Sequence, residues 1–211
     1  MKDLSNIINN YKDYYGPYVA ACVDRLPCSL KDEEDIRCRL SAIYELLVNR
    51  RGGIMKEDKH TEDKIWEVAH WLCCSNRRGL LLLGTLGNGK TTMLQSVYSL
   101  FCRIGVSLGD AQSIFEYFKE SQGHYKYWDE KLLLIDDLGV EPARCMLYGE
   151  ESYPLSRLLL HRYDRQLTTI VATNLDFEEI QTRYGDRVAD RLHEMYEVIK
   201  YDADSYRRSC K

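Results

Sequence analysis

The chain has 211 residues, of which 45% are hydrophobic and 29% are charged. This balance is typical of one full globular domain with at most a small appendage, and it excludes a disordered or fibrous chain. The 33 acidic and 29 basic residues give a formal charge of −4. Strong non-specific DNA binding is therefore not expected, and any affinity for nucleic acid must come from local clusters of basic side chains.

Hydrophobic segments long enough for a membrane are missing from the sequence. Apolar runs such as Leu80–Leu83 are far shorter than the roughly 20 residues of a membrane span. The first residues, Met1–Leu4, begin no apolar signal segment. The sequence therefore predicts a cytoplasmic protein that does not associate with a membrane.

Eight cysteines raise the question of a disulfide framework or a zinc site. Zinc modules and redox pairs usually contain two cysteines in C-x-x-C spacing, and no pair in this chain has it. Buried free thiols are the better interpretation in a chain without a secretion signal. We therefore expect no structural metal ion. The cysteines are Cys22, Cys28, Cys38, Cys73, Cys74, Cys102, Cys145 and Cys210.

Two amphipathic helices are predicted in the amino-terminal part of the chain. The first carries an apolar stripe with helical spacing and ends at the glycine pair Gly52–Gly53. The second follows Thr61, a suitable cap, with Glu62 and Asp63 in its first turn. We predict a helical segment over residues 1–60 and a larger domain over residues 61–211. The stripe of the first helix consists of Ile36, Leu40, Ile43, Tyr44 and Leu47.

From residue 79 onward, short apolar runs alternate with amphipathic stretches. This texture is typical of strands joined by crossover helices, and it predicts an α/β fold with a five-stranded parallel sheet. Three runs are strong strand candidates and two are weaker. The candidates are Leu80–Leu83, Lys131–Ile135, Thr168–Thr173, Val106–Leu108 and Val198–Tyr201.

A glycine-rich loop follows the first of these strands. Residues 84–91 fit the motif G-x-x-x-x-G-K-[ST], between a strand and the start of a helix. In such loops backbone N–H groups and the positive end of the helix dipole face phosphate oxygens. Lys90 is expected to reach the β and γ phosphates, and Thr91 to place its hydroxyl on Mg²⁺. The predicted phosphate-binding residues are Gly84, Gly87, Asn88, Gly89, Lys90, Thr91 and Thr92.

A second part of the site is predicted where an apolar strand ends in the acid pair Asp136-Asp137. Paired like charges repel one another, so their place after a buried strand indicates a cation or a proton-transfer role. We predict that Asp136 binds Mg²⁺ and that Asp137 polarises the attacking water. Glu141 is a weaker candidate for the task of Asp137.

The nucleotide is predicted from the spacing of the two motifs. The 48 residues from Gly84 to Lys131 can hold a helix, a strand and a further helix, as in the ATPase branch of phosphate-loop proteins. The base-reading motif N-K-x-D of GTPases is absent from the sequence, which favours ATP.

Asn174 follows another buried strand and can bind a water molecule or the γ-phosphate without adding charge.

Six motifs together resemble the DnaC/IstB-type ATPases, which are AAA+ proteins of the initiator group. That family includes bacterial and phage helicase loaders and the ATPase partners of certain transposases. The resemblance covers about residues 75–208. The motifs are Gly84-x-x-Gly87-x-Gly89-Lys90-Thr91, Leu134–Gly139, Arg162-Tyr163, Ala172–Leu175, Tyr184–Leu192 and Ser205–Arg207.

The resemblance implies roles that the residue pattern alone does not give. Asn174 takes the place of sensor 1, and Arg191 that of the arginine finger that reaches the ATP of a neighbouring subunit. Arg187 is the second choice for the finger, and Arg183 has no better interpretation than a solvated side chain. The 20 residues that follow Arg191 are too few for the helical lid of many AAA+ proteins, so we expect no carboxy-terminal lid.

The predicted function is an ATP-binding AAA+ ATPase with slow, assembly-dependent hydrolysis. Its expected partners are further copies of the chain at the ATP site, single-stranded DNA, and a replicative helicase or a transposase. A small-molecule kinase and a nucleotide-switched protein scaffold without DNA binding remain as alternatives. Three arginine pairs are candidates for DNA binding: Arg50-Arg51, Arg77-Arg78 and Arg207-Arg208.

Overall fold

The computed structural model describes residues 8–11, 32–55, 58–102, 106–124, 127–202 and 206. Helix α1 includes residues 8–11. The other helices are α2 (Glu33–Arg50), α3 (Lys59–Cys74), α4 (Lys90–Phe101), α5 (Ala111–Glu120), α6 (Pro154–Asp164), α7 (Phe177–Tyr184) and α8 (Asp186–Met195). The strands are β1 (Gly79–Gly84), β2 (Val106–Asp110), β3 (Leu132–Leu138), β4 (Cys145–Leu147), β5 (Glu150–Ser152), β6 (Thr168–Thr173) and β7 (Tyr196–Tyr201). Among the described residues, no helix is long and apolar enough to cross a membrane.

The five strands predicted from the sequence form one parallel sheet in the order β2-β3-β6-β1-β7. Strand β1 pairs in parallel with β6 and with β7, and β3 pairs in parallel with β6. The predicted α/β class and the five-stranded parallel sheet are confirmed. The insertion of β6 between β1 and β3 also confirms that the strand before Asn174 lies beside the acidic strand.

The described chain forms two compact units. One, here called the helical unit, comprises Met1–Asn76 and Gly89–Val106, and the other, the sheet unit, comprises Arg77–Asn88 and Ser107–Lys211. The predicted domain boundary after residue 60 stays a prediction. Within the helical unit, α2 packs against both α3 and α4.

Helix α2 begins as its sequence requires. The Asp32 side chain accepts hydrogen bonds from the backbone N–H groups of Glu34 and Asp35, and three acidic residues occupy the first turn. The predicted apolar stripe is buried in the helical unit, and the helix ends at Arg50, just before the glycine pair. The predicted cap of α3 was wrong. That helix begins at Lys59, because the Asp58 side chain accepts from the Thr61 N–H at 2.8 Å.

The core of the sheet unit lies between the sheet and helices α5–α8. Alternate residues of the strands, such as Leu81, Ile135 and Val171, are fully buried and pack with Leu158 and Leu192 from the helices. Burial of such side chains stabilises the unit by about 1.5–3 kcal/mol each. The short antiparallel hairpin formed by β4 and β5 was not predicted from the sequence.

Candidate nucleotide site

The phosphate loop begins in the sheet unit, directly after β1. The Gly87 backbone has a φ of 86°, a conformation that glycine adopts without the steric cost of a side chain. The Gly87 carbonyl accepts a hydrogen bond from the Tyr206 N–H at 3.0 Å. The buried Asn88 side chain donates from Nδ2 to the Tyr201 carbonyl at 2.6 Å. The loop is thus held in shape by β7 and by the chain that follows it.

The loop continues into the helical unit at Gly89, which is the amino-terminal cap of α4. Gly89 has a φ of 100°, and the Tyr44 hydroxyl lies so close that a Cβ at this position would collide with it. Helix α4 begins at Lys90, whose side chain is buried in the structure. Because the first N–H groups of a helix have no partner inside the helix, this helix end suits an anion.

Two predicted phosphate-binding side chains have structural partners. Asn88 anchors the loop to Tyr201, as described above. The Thr92 hydroxyl accepts from Arg51 Nη1 at 2.8 Å, and Arg51 Nη2 also donates to Gln95 Oε1 at 2.5 Å. These contacts give the Asn88 and Thr92 side chains a supporting role in the loop and in α4, whereas their predicted contact with a nucleotide stays a prediction.

Three of the predicted elements meet at one edge of the sheet unit. The phosphate loop follows β1, the acid pair closes β3 and Asn174 follows β6. Because these strands are parallel and β6 lies between the other two, their carboxyl ends share an edge. Ligands of open α/β sheets bind at this edge. The structure thereby brings Gly84, Asp136, Asp137 and Asn174 to the same side of the sheet.

The acid pair interrupts the regular pairing of β3 with β6. The register shifts between Ile135 and Leu138, so Asp136 and Asp137 form a bulge. Asp137 has a φ of 50°, which is uncommon for a residue with a side chain. Its N–H group donates to Asp136 Oδ1 at 3.0 Å. Bulges and strained backbone conformations cluster at functional sites, where they redirect side chains.

Glu141 supports the loop after the acid pair. The Glu141 side chain is only 1% exposed, and its carboxylate accepts from the Gly139 N–H at 2.9 Å and from the Tyr184 hydroxyl. Burial, together with the Glu141 carboxylate, raises the pKa of Tyr184, so the phenol stays a proton donor. Arg183 also donates to the Glu141 carbonyl. These contacts make Glu141 an anchor of the loop, in place of the water-activating role considered from the sequence.

Asn174 lies at the same edge, and hydrogen bonds of the preceding residue, Thr173, fix its position. The Thr173 hydroxyl donates to the Leu138 carbonyl at 2.5 Å and accepts from the Leu175 N–H at 3.1 Å. These two bonds tie the end of β6 to the end of β3 on one side of Asn174 and to the following turn on the other. The position of Asn174 relative to the acid pair is therefore determined by the buried Thr173 hydroxyl.

Arg191 lies on α8 and contacts residues of its own chain. Its Nη1 donates to Glu194 Oε2 at 2.9 Å and to the Tyr163 hydroxyl at 3.1 Å. The guanidinium also lies over the Tyr163 ring, 4.6 Å from its centre. Hydrogen bonds from Tyr163 and Arg191 lower the pKa of Glu194. Asp190 Oδ2 is a more distant acidic partner of Arg191 Nη1, at 3.7 Å.

The arginine pairs predicted for DNA binding are partly used by the fold. Arg51 binds Thr92 and Gln95 in the helical unit. Arg77 donates to the backbone carbonyls of His193 and Tyr196 at the end of α8, in the sheet unit. Arg50 and Arg78 are exposed. The pair Arg207-Arg208 lies outside the described residues.

The residues that support the site were not predicted from the sequence. Tyr163 and Tyr206 were part of the motifs that carried the family resemblance, yet no role could be given to them. Their contacts with Arg191 and with the Gly87 carbonyl now supply one. For Tyr44 the only signal was its place in an amphipathic helix. Arg51 was considered only as half of an arginine pair for DNA binding.

Comparisons with known proteins identify a family and similar folds. The family model for IstB-like ATP binding proteins matches residues 57–211. A crystal structure of DnaI has a TM-score of 0.53 and 19% identity, covering 73% of this chain and 88% of DnaI. A protein assigned as a primosome component from Streptococcus pyogenes serotype M3 has a TM-score of 0.53 and 17% identity, covering 71% of this chain and 82% of its own. At these identities both structures show the fold alone. Among curated proteins no significant match is found.

Proposed function

Because the chain belongs to the IstB-like ATP-binding family over residues 57–211, we propose that it is an AAA+ ATPase that assembles on DNA or on a DNA-handling partner. Its proposed cellular task is helicase loading or assistance to a transposase. One observation supports the proposal. The bulged pair Asp136-Asp137 and the polar residue Asn174 lie at the same edge of the sheet at which the G-x-x-x-x-G-K-T loop begins.

The donor atoms of the site fit ATP and Mg²⁺. Thr91 and Asp136 offer hard oxygen ligands, which Mg²⁺ prefers in combination with nucleotide phosphates and water. Lys90 and the N–H groups of residues 84–91 offer positive charge and donors to the phosphates. When bound, Mg²⁺ would neutralise charge on the β and γ phosphates.

The catalytic assignment rests on position and conformation. In this proposal Asp137, held in the bulge, orients and polarises the attacking water, and Asn174 hydrogen-bonds that water or the γ-phosphate. Arg191 of one subunit completes the site of the next. Its present partners, Tyr163 and Glu194, hold it within its own subunit, so assembly must compete with them. This competition supports slow, assembly-dependent hydrolysis.

Lys90→Ala is expected to weaken ATP binding about 10- to 100-fold. A charge-assisted hydrogen bond contributes about 1.5–3 kcal/mol, and each 1.4 kcal/mol is a factor of ten in affinity. Titration calorimetry with ATP and Mg²⁺ measures the effect. Lys119→Ala is the matched control, because Lys119 is an exposed lysine on α5, and it should bind ATP as the parent chain does. Equal affinities for the two variants would contradict the phosphate-loop assignment.

Single-stranded DNA should bind weakly, with an affinity that falls steeply with salt and rises with ATP. Each phosphate contact adds about 0.7 to the slope of log affinity against log salt concentration. Fluorescence anisotropy with a labelled oligonucleotide should give a smaller slope for Arg50→Ala or Arg78→Ala. Arg144→Ala is the control, because Arg144 is exposed but paired with Glu151 at 2.7 Å.

A protein scaffold switched by nucleotide is the second candidate function. It is favoured by the use of Arg51 and Arg77 inside the fold, which leaves fewer basic groups for DNA, and by the acidic net charge. The DNA titration separates the two functions. No salt-dependent binding with ATP present, under conditions in which the chain assembles, would favour the scaffold.

A further inference from the structure

Three side chains of different metal-ligand types converge in the helical unit, within one compact body. They are Glu33 in the first turn of α2, and His70 and Cys74 in the last turns of α3. One ligand atom from each side chain lies within 4.8 Å of the other two. His70 Nδ1 is 3.2 Å from Glu33 Oε2, and Cys74 Sγ is 3.4 Å from the same oxygen.

The two separations from Glu33 Oε2 match those between the ligands of a tetrahedral zinc site. Zinc binds nitrogen and oxygen at about 2.0–2.1 Å and thiolate sulfur at about 2.3 Å. With tetrahedral angles, ligands at those distances lie roughly 3.3 Å apart for a nitrogen and oxygen pair and roughly 3.5 Å apart for a sulfur and oxygen pair. The observed distances of 3.2 Å and 3.4 Å differ from these values by about 0.1 Å.

The local structure of α3 places two of the three ligands next to each other and orients one of them. His70 and Cys74 are four residues apart, so both lie on one face of α3. The His70 ring stacks on Trp66 one turn earlier, with ring centres 5.4 Å apart and an interplanar angle of 16°. This stacking orients the imidazole towards Glu33. Side chains that hold a ligand in place are a regular part of protein metal sites.

We propose that Glu33, His70 and Cys74 bind a zinc ion that joins the start of α2 to the end of α3. Thiolate and imidazole donors favour a borderline-soft ion such as Zn²⁺ over Mg²⁺. The site is therefore chemically distinct from that of the nucleotide metal. All three residues are partly or fully exposed, so an ion can enter and a water molecule or a partner's side chain can take the fourth position. Glu33 precedes residues 57–211, so one of the three ligands lies outside the segment that the family model matches, whereas His70 and Cys74 lie inside it.

The sequence rule that argued against zinc considered only pairs of cysteines. It could not detect this cluster, because one ligand comes from a different helix and the other two form an H-x-x-x-C step. A simpler interpretation also exists, in which Glu33 only accepts hydrogen bonds from His70 and Cys74. The two interpretations differ in what the thiol does when a metal ion is added.

Cobalt is a suitable probe, because Co²⁺ replaces zinc in tetrahedral sites and a Co²⁺–thiolate bond has its own charge-transfer absorption. We expect the full chain to take up one Co²⁺ with that absorption, and Zn²⁺ to displace it. Cys74→Ser should lose the band and bind zinc more than about 100-fold more weakly, because loss of even the groups behind a ligand costs about 10- to 100-fold. Cys145→Ser, a partly buried thiol in β4, should keep both properties.

Two results would contradict the proposed zinc site. The first is a parent chain without thiolate–cobalt absorption, which would leave the hydrogen-bonded cluster as the whole explanation. The second is a Cys74→Ser chain that keeps the band, which would place the ion on another cysteine. His70→Gln provides a second variant, which should also lose affinity while circular dichroism shows an intact fold.

Discussion

Replacing Arg191 with alanine is expected to lower ATP turnover about 10³- to 10⁵-fold and to leave ATP affinity and the fold unchanged. That range is the effect of an arginine finger in phosphoryl transfer. An exposed ion pair contributes only about 0–1 kcal/mol, so loss of the contacts with Glu194 and Tyr163 alone would change turnover little. Steady-state turnover and calorimetric ATP binding, measured on the same preparation, separate these two interpretations.

Arg187→Ala is the control, because Arg187 is an exposed arginine on the same helix. It should keep most of the turnover. A large loss in Arg187→Ala with a small one in Arg191→Ala would reverse the assignment of the finger. Glu194→Gln is also informative, because it releases Arg191 from its carboxylate and should not reduce turnover.

A mixing experiment tests whether the site is completed by a second subunit. Asp136→Asn lacks the proposed metal ligand but keeps Arg191, whereas Arg191→Ala keeps Asp136. If sites form between subunits, some interfaces in a mixture combine an intact Asp136 with an intact Arg191, and activity partly returns. Mixtures as inactive as the separate variants, under conditions in which the parent chain assembles, would contradict the arrangement.

The parts of the fold that the sequence predicted are those with strong local signals. Leucine-rich runs such as Leu80–Leu83 are typical of buried strands when turn residues bound them, and the phosphate loop has a fixed spacing between strand and helix. The β4–β5 hairpin has three-residue strands and a Tyr148-Gly149 turn without the usual Asn-Gly or Asp-Gly signal, so it was missed. The Thr61 cap was misplaced because Asp58 offers a competing carboxylate three residues earlier.

The support of the candidate site could not be predicted, because it depends on pairs that are distant in the sequence. Tyr163 and Arg191 are 28 residues apart, and Glu141 and Tyr184 are 43 apart. No local pattern distinguishes a buried Glu141 from a solvated one. The bulge at Asp136 and Asp137 likewise depends on the register of β3 against β6. The acid pair itself was predictable, because carboxylates after an apolar strand have no role in packing.

Arg162 shows how one motif residue can organise the sheet unit. Its side chain is fully buried, and its guanidinium makes four hydrogen bonds to neutral oxygens. They reach the Thr169 hydroxyl and the Thr168 carbonyl at the start of β6, and the Tyr127 and Trp128 carbonyls before β3. Burial lowers the pKa of Arg162 to about 10, so the group keeps its charge at neutral pH. The neighbouring Tyr163 points to Arg191 instead.

Arg162→Met is therefore expected to lower the free energy of unfolding of the sheet unit by about 3–5 kcal/mol. Methionine fills much of the space, but it leaves buried carbonyls without the guanidinium, at about 1–3 kcal/mol for each group that stays unsatisfied. Arg157→Met on the same helix is the matched control, because Arg157 is exposed and its change should stay within about 0.5 kcal/mol. Urea unfolding followed by circular dichroism and tryptophan fluorescence measures both. Equal midpoints for the two variants would show that the four hydrogen bonds contribute little to stability.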